Sequence, residues 1–369
     1  MLNGENDAIM SQSKDSRISF ARLAGIRTAF LNAPMPGAAT PELVAAVSEA
    51  GGLGVIPAAP LTPEEIHAFA DRVKSLTKKP FAVNLTVPSL HKPVPEDFTR
   101  FADAISLLLA ELGLPDGSDG KLAEHYDLTL SKVPDFASQF DAAMSCGARA
   151  VISSFGGFRE PEAERLEDAG ILNIGCATTL REAKVLRAAG VDAVVVQGAE
   201  AGGPRLSFED SDKALVGLSA LLPAAAAATG LPVIAAGGIA VPAQTAGLAA
   251  MGASGVMVGT ALLGVRESGA PEVLKRASRY ATAADTVLSR IYTGRLCRIL
   301  GNGLADALAD WENMTAGYPG QQALMMPLHQ RAEELGREDL MMLPLGQSAG
   351  RSAYATAATC TEALGLREA

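Results

Sequence analysis

Short apolar runs alternate with amphipathic helical patterns along most of this 369-residue chain. Eight runs have the length and composition of buried strands, and they fall at residues 28–32, 54–56, 81–85, 150–153, 171–174, 193–196, 232–235 and 255–258. Helical patterns separate them, for example at 41–50, 63–76, 180–189 and 243–251. This alternation predicts an α/β fold with a parallel sheet. Eight strands favour a closed (β/α)8 TIM barrel over an open doubly wound sheet, and no Gly-x-Gly-x-x-Gly opens the first helix.

Two segments depart from the repeat. Residues 88–136 separate the third and fourth runs and are too long for one helix, so we expect a partly helical insertion. The chain after about Glu267 is largely helical as far as Gly346, and we expect it to pack over the barrel mouth. We therefore predict a barrel at 18–266 carrying the insertion, and a mainly helical cap and substrate region at 267–369. Residues 1–17 are predicted to form a mobile tail.

Composition excludes several classes of function. The chain is 48% hydrophobic and 20% charged, which suits a folded domain with a sizeable core. Its net charge of -10 leaves no basic stripe for nucleic acid. Four scattered cysteines and four scattered histidines form no metal-binding motif, so no metal is expected. No apolar run suggests a signal peptide or a membrane span, and we expect a cytoplasmic protein with reduced thiols.

The residues that packing explains least lie at the C-terminal ends of the predicted strands or just after them, where barrel active sites lie. They are Ala33, Pro34, Met35, Asn84, Ser153, Gly175, Cys176, Gln197, Glu200, Gly202, Gly203, Gly237, Gly238, Gly259 and Thr260. Backbone N–H groups of glycine-rich turns can approach a phosphate closely, and the last two loops of a barrel are its common phosphate site. The glycines could instead only shape tight turns. The amides of Asn84 and Gln197 suit the polar edge of a flavin, or they satisfy local backbone.

Several motifs, in this order and spacing, resemble those of the nitronate monooxygenase family, formerly called 2-nitropropane dioxygenases. They cover most of residues 29–265 and one C-terminal patch, and they are Ala33-Pro34-Met35, Thr40-Pro41-Glu42-Leu43, Gly51-Gly52-Leu53-Gly54, Lys79-Pro80-Phe81-Ala82-Val83-Asn84-Leu85, the runs 190–203, 232–239 and 252–260, and Gly346-Gln347-Ser348-Ala349-Gly350. The resemblance implies an FMN-binding barrel with a smaller helical cap. The implied FMN-binding residues are Ala33, Pro34, Met35, Asn84, Ser153, Gln197, Gly202, Gly203, Gly237, Gly238, Gly259, Thr260 and Gln347.

The chain departs from the family at three positions that commonly carry a histidine near the flavin. The resemblance aligns Phe155, Gly175 and Pro204 with them. The usual general base is therefore missing, unless one of the four remote histidines, His67, His91, His125 or His329, reaches the site from an insertion. This absence weighs against deprotonation of a neutral nitroalkane and less against oxidation of an existing nitronate. Cys176 and Glu200 are weak substitutes. The alternatives are a buried apolar thiol for Cys176 and a hydrogen bond to nearby backbone N–H groups for Glu200.

Three functions follow as hypotheses. The first is an FMN-dependent oxidoreductase that oxidises an alkyl nitronate or a similar small substrate with O2. The second, motivated by the missing histidine, is an NAD(P)H-dependent FMN reductase of a quinone or an enoyl thioester. The third is a binding protein that has kept the phosphate site and lost redox activity. The sequence leaves the oligomeric state open, with a homodimer as one option.

Overall fold

The computed structural model describes residues 19–88, 96, 98–113, 134–208, 211, 214–351 and 353–367. The tail predicted at 1–17 lies outside these residues, as does most of the insertion predicted at 88–136. Two of the four histidines, His91 and His125, also lie outside them.

The described part of the chain contains a parallel eight-stranded barrel. In chain order its strands and those of the cap are β1 (Phe30–Asn32), β2 (Gly54–Pro57), β3 (Phe81–Thr86), β4 (Ala150–Ser154), β5 (Leu172–Ala177), β6 (Ala193–Gln197), the short β7 (Gly203–Pro204), β8 (Val233–Ala236), β9 (Gly255–Val258), β10 (Thr286–Ser289) and β11 (Cys297–Leu300). The barrel order is β1-β9-β8-β6-β5-β4-β3-β2, and a parallel bridge between Leu31 and Leu53 closes the ring. All eight predicted runs form barrel strands, so the predicted (β/α)8 fold is confirmed.

A buried side chain completes the junction between β1 and β2. Asn32 Oδ1 accepts the Val55 N–H at 2.8 Å, and Asn32 Nδ2 donates to the Val55 carbonyl oxygen at 2.9 Å. The amide group thus supplies the donor and acceptor that another strand residue would supply. The barrel closes here although β1 is only three residues long.

Helices surround the barrel, and threonines begin several of them. They are α1 (Phe20–Ala24), α2 (Pro41–Glu49), α3 (Pro63–Leu76), α4 (Phe98–Glu111), α5 (Phe136–Ser145), α6 (Glu160–Asp168), α7 (Leu180–Ala188), α8 (Leu218–Thr229), α9 (Pro242–Ala250), α10 (Thr260–Leu263), α11 (Glu272–Tyr280), α12 (Gly303–Ala307), α13 (Gly320–Leu335) and α14 (Ala357–Leu364). Thr40, Thr62 and Thr179 each accept the N–H three residues later, which caps α2, α3 and α7.

Strand alternation divides the barrel core into two shells. One set of side chains fills the barrel interior, and it includes Leu31, Val55, Ala82, Ile152, Ile174, Cys176, Val195, Ile234 and Met257. The other set faces outward and packs against the surrounding helices, for example Val83 and Val151 on one side and Val194 and Val196 on the other. The inward set therefore also decides which residues reach the mouth of the barrel.

A second apolar core lies in the cap. It joins α4, through residues such as Phe101 and Ile105, to the chain between Leu263 and Ala349. Sequence analysis predicted a mainly helical cap here, but the cap also contains a small sheet in which β11 pairs antiparallel with both β10 and β7. These strands are two to four residues long and carry polar residues and an arginine, so no apolar run in the sequence predicts them.

The C-terminal helix α14 packs on the barrel. Ala357, Cys360 and Leu364 belong to the outer barrel core, and Leu366 forms an antiparallel bridge with Ala29 just before β1. Residues 357–364, which sequence analysis assigned to the cap, therefore cover the barrel where the four-residue α10 is too short to do so.

Within the described ranges, no helix is long and apolar enough to cross a membrane. The same residues contain no group of three or more His, Cys, Asp and Glu side chains arranged to hold a metal ion. All four cysteines are buried and unpaired by disulfides.

Candidate active site at the barrel mouth

A set of small neutral side chains lines the inner face of β3, β4 and β5 at the mouth. Asn84 Nδ2 donates to the Ser154 hydroxyl at 2.8 Å and to the Ile152 carbonyl oxygen at 3.1 Å. The Ser154 hydroxyl also hydrogen-bonds the Cys176 thiol, while burial raises the pKa of that thiol to about 12. A thiol with this pKa stays protonated at neutral pH and is neither a nucleophile nor a base. Cys176 is thus a buried, inert thiol.

Strand alternation distinguishes Ser153 from Ser154 and Gly175 from Cys176. Ser153 is fully buried on the outer side of β4, where its hydroxyl lies 3.5 Å from the Ile174 carbonyl oxygen, and Ser154 is the inward residue. A Cβ on Gly175 would lie 2.5 Å from Leu186 of α7. A histidine at position 175 would therefore face the helix layer. Gly175 and Cys176 also lie inside β5, and not after it as sequence analysis had placed them.

The amide of Gln197, the last residue of β6, holds its own loop. Its Nε2 donates to the Pro204 carbonyl oxygen at 3.2 Å, and its Oε1 accepts the Leu206 N–H at 3.0 Å. These two bonds leave one Nε2 hydrogen and one Oε1 lone pair for a ligand. Gln197 therefore serves the local backbone and can still present polar atoms to the mouth.

Two other glycine-bearing segments contact this loop. A Cβ on Gly202 would lie 2.5 Å from the Gly346 nitrogen, so these two backbones are in contact. Gly237 and Gly238 have φ of 107° and 70°, a region that glycine enters without steric cost. Their N–H groups donate to no group in the part of the chain that the structure describes. A Cβ on Gly238 would lie 3.0 Å from Glu200 Cβ, which places the turn beside the loop after β6.

The segment at 346–347 is fastened to two of these loops. The Gly346 N–H donates to the Thr260 hydroxyl at 3.0 Å, and the Gln347 N–H donates to the Glu200 carbonyl oxygen at 2.9 Å. The sequence motif predicted at this patch therefore lies with the loops after β6 and β9, although more than 80 residues separate it from Thr260. The Glu200 carboxylate is itself used, because both of its oxygens accept the Leu218 N–H at 3.0 and 3.1 Å.

Residues after β1 reach the same place from the other side. A Cβ on Gly259 would lie 3.3 Å from Ala33 Cβ and 3.5 Å from Met35 Sδ. Met35 is half-buried and packs against both the barrel core and the cap core. Pro34, between them, is also half-buried. Met35 thus lies at the seam between barrel and cap, beside the loop after β9.

Phe155, the first residue after β4, has an unusual backbone and unusual neighbours. Its φ is 67°, and no other non-glycine residue in the described ranges has a left-handed φ. The Arg295 guanidinium carbon lies 3.8 Å from the centre of its ring, and the Tyr318 ring meets it edge-on at 5.3 Å. The Tyr318 hydroxyl hydrogen-bonds Thr86 at the end of β3, and burial raises the pKa of Tyr318. The family resemblance aligns position 155 with a histidine. The chain has instead an apolar ring that packs against the cationic guanidinium of Arg295.

Three buried arginines near this region were not predicted as site residues. They are Arg205, Arg295 and Arg298, each at most 7% exposed. The Arg205 guanidinium donates to backbone carbonyl oxygens inside the protein. A sequence signal did exist for Arg298, which interrupts the apolar run Leu296-Cys297-Arg298-Ile299-Leu300. Pro204, the third aligned position, lies in β7 opposite Cys297 and offers no side-chain base.

The described histidines are remote from the mouth. His67 lies on α3, where its Nε2 is 3.4 Å from the Ser145 hydroxyl on the outside of the barrel. His329 lies on α13, its Nδ1 accepts the Met342 N–H at 3.2 Å, and burial lowers its pKa. Among the described residues, the mouth therefore presents neutral amides, hydroxyls and glycine N–H groups, with buried guanidinium groups behind them.

Comparisons with known proteins agree with the barrel fold. Among solved structures, a nitroalkane oxidase from Streptomyces ansochromogenes superposes with a TM-score of 0.81 at 32% identity, covering 93% of this chain and 96% of that one. FabK from Thermotoga maritima superposes with a TM-score of 0.70 at 24% identity, covering 95% of both chains, which shows a shared fold.

Sequence relatives give the family. A probable nitronate monooxygenase from Staphylococcus saprophyticus is 31% identical over 329 residues, covering 88% of this chain and 90% of the relative. One from Staphylococcus aureus is 32% identical over 329 residues, covering 89% and 90%. The family profile described as nitronate monooxygenase matches residues 19–362. The chain therefore belongs to the nitronate monooxygenase family of oxidoreductases.

Proposed function

We propose that the protein is an FMN-dependent oxidoreductase that oxidises an alkyl nitronate, or a similar small anion, with O2 as the acceptor. The observation that carries this proposal is the convergence of Gly202–Gly203, Gly237–Gly238, Gly259–Thr260 and Gly346–Gln347 at the mouth of the barrel. Family membership and the 32% identity to a nitroalkane oxidase support it.

The residues at the mouth fit FMN. The N–H groups of Gly237 and Gly238 donate to no group within the described ranges, so they are suitable donors for a phosphate. A Cβ on Gly203 would meet nothing nearer than Pro344 Cβ at 4.0 Å. Gly259 and Thr260 adjoin this cradle. Asn84 and Gln197 would hold the polar edge of the ring, while Ala33, Pro34 and Met35 would lie against the ring.

The chemistry divides between cofactor and protein. Bound FMN supplies two-electron redox chemistry. The described residues bind and orient the ligands. At the mouth Asn84 and Ser154 are neutral, the Cys176 thiol stays protonated, and the Glu200 carboxylate is directed to the Leu218 N–H, so none of them is placed to remove a proton from carbon. We infer that the substrate arrives already deprotonated.

The decisive experiment is an anaerobic absorbance spectrum of the purified protein before and after addition of propionate 3-nitronate. We expect bleaching of a flavin by the nitronate and turnover when air is admitted. A flavin that no nitronate reduces would overturn the proposal. Protein that cannot be reconstituted with FMN would leave a binding protein as the remaining hypothesis.

The lack of an ionisable base among the described mouth residues also favours a second candidate, an NAD(P)H-dependent FMN reductase of a quinone or an enoyl thioester. Hydride transfer from a nicotinamide needs positioning and no base. Addition of NADPH or NADH to the same anaerobic sample tests it: rapid bleaching supports the reductase, and a flavin inert to both nucleotides excludes it.

A further inference from the structure

Arg205 directs a buried charge at three backbone carbonyls. Its side chain is 1% exposed. Nη1 donates to the Gly198 carbonyl oxygen at 2.6 Å, and Nη2 donates to those of Gln197 at 2.7 Å and Ala214 at 3.2 Å. Nε finds no acceptor among the described residues. Removing a guanidinium from water is costly, so a structure that keeps one here must gain from its geometry.

No described carboxylate forms an ion pair with this guanidinium. Burial lowers the pKa of Arg205 to about 10, and the nearby charge of Glu200 opposes that effect. Arg205 therefore remains charged at neutral pH. The Glu200 carboxylate is directed elsewhere, to the Leu218 N–H. The strong hydrogen bonds of Arg205 are thus those to the loop after β6.

A second buried arginine extends the same pattern. Arg298 Nε donates to the Ala199 carbonyl oxygen at 3.0 Å, and its Nη1 donates to the Thr286 hydroxyl at 3.1 Å. The carbonyls of three successive residues, Gln197, Gly198 and Ala199, are therefore all held by guanidinium groups. Because Gly198 has no side chain to restrain it, these bonds fix the direction in which the chain leaves β6.

This loop carries candidate cofactor contacts. Gln197 begins it, its side-chain amide is bound to the chain on either side of Arg205, and Gly202 and Gly203 complete it. On the basis of the proposed function, we propose that Arg205 is a positioning residue for the flavin. Its guanidinium holds Gln197 and the loop 198–203 in the geometry that binds the cofactor. Arg205 acts through these residues and does not itself touch the cofactor.

Arg149 offers a matched control. It precedes β4 at the opposite end of the barrel, and its guanidinium also holds two backbone carbonyls, of Gly170 at 2.9 Å and Leu23 at 2.8 Å. Loss of either arginine should destabilise the fold. Only Arg205 lies next to the mouth, and the N-terminal end of a barrel serves stability.

The experiment compares apoprotein of the wild type with the Arg205→Met, Arg205→Lys and Arg149→Met variants. The measurements are the Kd for FMN by fluorescence titration, the visible spectrum of the bound flavin, and the melting temperature of each apoprotein. We expect both Arg205 variants to raise the Kd by about tenfold or more and to shift the flavin spectrum, because methionine donates no hydrogen bond and one lysine ammonium cannot reach three carbonyls. Arg149→Met should keep the Kd for FMN within about twofold of the wild-type value, even if its melting temperature falls as far as that of the Arg205 variants.

Each result supports the positioning role or overturns it. An Arg205→Lys protein with the wild-type Kd and spectrum overturns the proposal, as does an equal loss of FMN affinity in Arg149→Met. If Arg205→Met does not fold, Arg205→Lys, which keeps the charge, distinguishes the two outcomes by its Kd and spectrum. Wild-type apoprotein that binds no FMN refutes the proposed function itself and the positioning role with it, an outcome distinct from normal wild-type binding with unchanged variants.

Discussion

Position 155 shows how one residue changes what the mouth can do. The family resemblance aligns this position with a histidine, but the chain has a phenylalanine, whose ring contacts Arg295 and Tyr318. A bulky residue with φ of 67° is strained, and such strain persists where surrounding contacts enforce it, often at functional sites. The ring contacts are therefore strong enough to hold the backbone in a region that phenylalanine avoids.

This strain predicts that glycine at position 155 gives a more stable protein than alanine does. Both Phe155→Ala and Phe155→Gly lose the ring contacts, but only glycine enters the left-handed region freely. We expect Phe155→Gly to be more stable than Phe155→Ala by about 1 kcal/mol, measured by urea unfolding. At an ordinary helical position the sign is opposite. Equal stabilities, or a more stable alanine variant, would show that the backbone at 155 is not strained.

The glycines of the candidate site could be predicted from sequence, whereas the arginines could not. Gly237 and Gly238 follow an apolar run directly, and their role depends on backbone conformation, which is local information. The burial of Arg205 depends on β7 pairing with β11, about 90 residues further along the chain. A single sequence contains no trace of that pairing, so the burial of Arg205 could not be predicted from it.

At the scale of elements, β1 depends on a side chain to close the barrel. Replacing Asn32 with leucine removes the donor and acceptor that pair with Val55. The buried N–H and carbonyl groups of Val55 are then left unsatisfied. We expect Asn32→Leu to lower the free energy of unfolding by about 3 kcal/mol, measured by urea titration. A loss under about 0.5 kcal/mol would mean that other groups or water satisfy Val55.

The helix α14 is predicted to be essential to the barrel. Leu364 is fully buried against the outer barrel core, whereas its neighbour Glu362 is exposed. We expect Leu364→Ala to cost about 2–5 kcal/mol of unfolding free energy, because the cavity lies in packed core. Glu362→Ala, on the same helix, should stay within about 0.5 kcal/mol of the wild type. Similar small effects of both changes would place α14 outside the cooperative fold.

The elements that sequence predicted well are those with strong local signals. Barrel strands such as β3 and β6 are apolar runs buried on both faces, and α3 begins with a threonine cap and a proline and matches its predicted bounds. The cap sheet escaped prediction because β7 is two residues long and forms only against a distant partner. The position of α14 escaped for the same reason: its amphipathic pattern does not say which surface it covers.

At the scale of the whole molecule, the barrel and the cap meet through a few short segments. The sheet of β7, β10 and β11 joins the loop after β6 to the cap, and residues 344–347 run from Ile299 back to Thr260. Gly203 and Gly346 of the proposed cofactor site, and Arg298 behind it, lie in these segments. We therefore expect the proposed cofactor site and the attachment of the cap to share contacts.

The buried thiols predict how the whole molecule responds to alkaline pH. Burial raises the pKa of Cys176 and of Cys297 from 9.0 to about 12, and it also raises those of Cys146 and Cys360. Above pH 9 the unfolded chain loses these protons while the folded protein keeps them. Stability is thus complete below the unfolded pKa and falls as the pH rises from about 9 toward 12, by up to about 1.4 kcal/mol per pH unit for each thiol.

Urea unfolding measured between about pH 8 and pH 11 checks this slope. We expect the unfolding midpoint to fall steadily above about pH 9, and to fall less steeply in a Cys176→Ala variant, which has one fewer titrating thiol. The buried tyrosine Tyr292 adds to the effect only at higher pH, because an unfolded tyrosine titrates near pH 10. A midpoint that stays constant over this range would mean that the thiols reach solvent in the folded protein, and a thiol reagent would then modify them without denaturant.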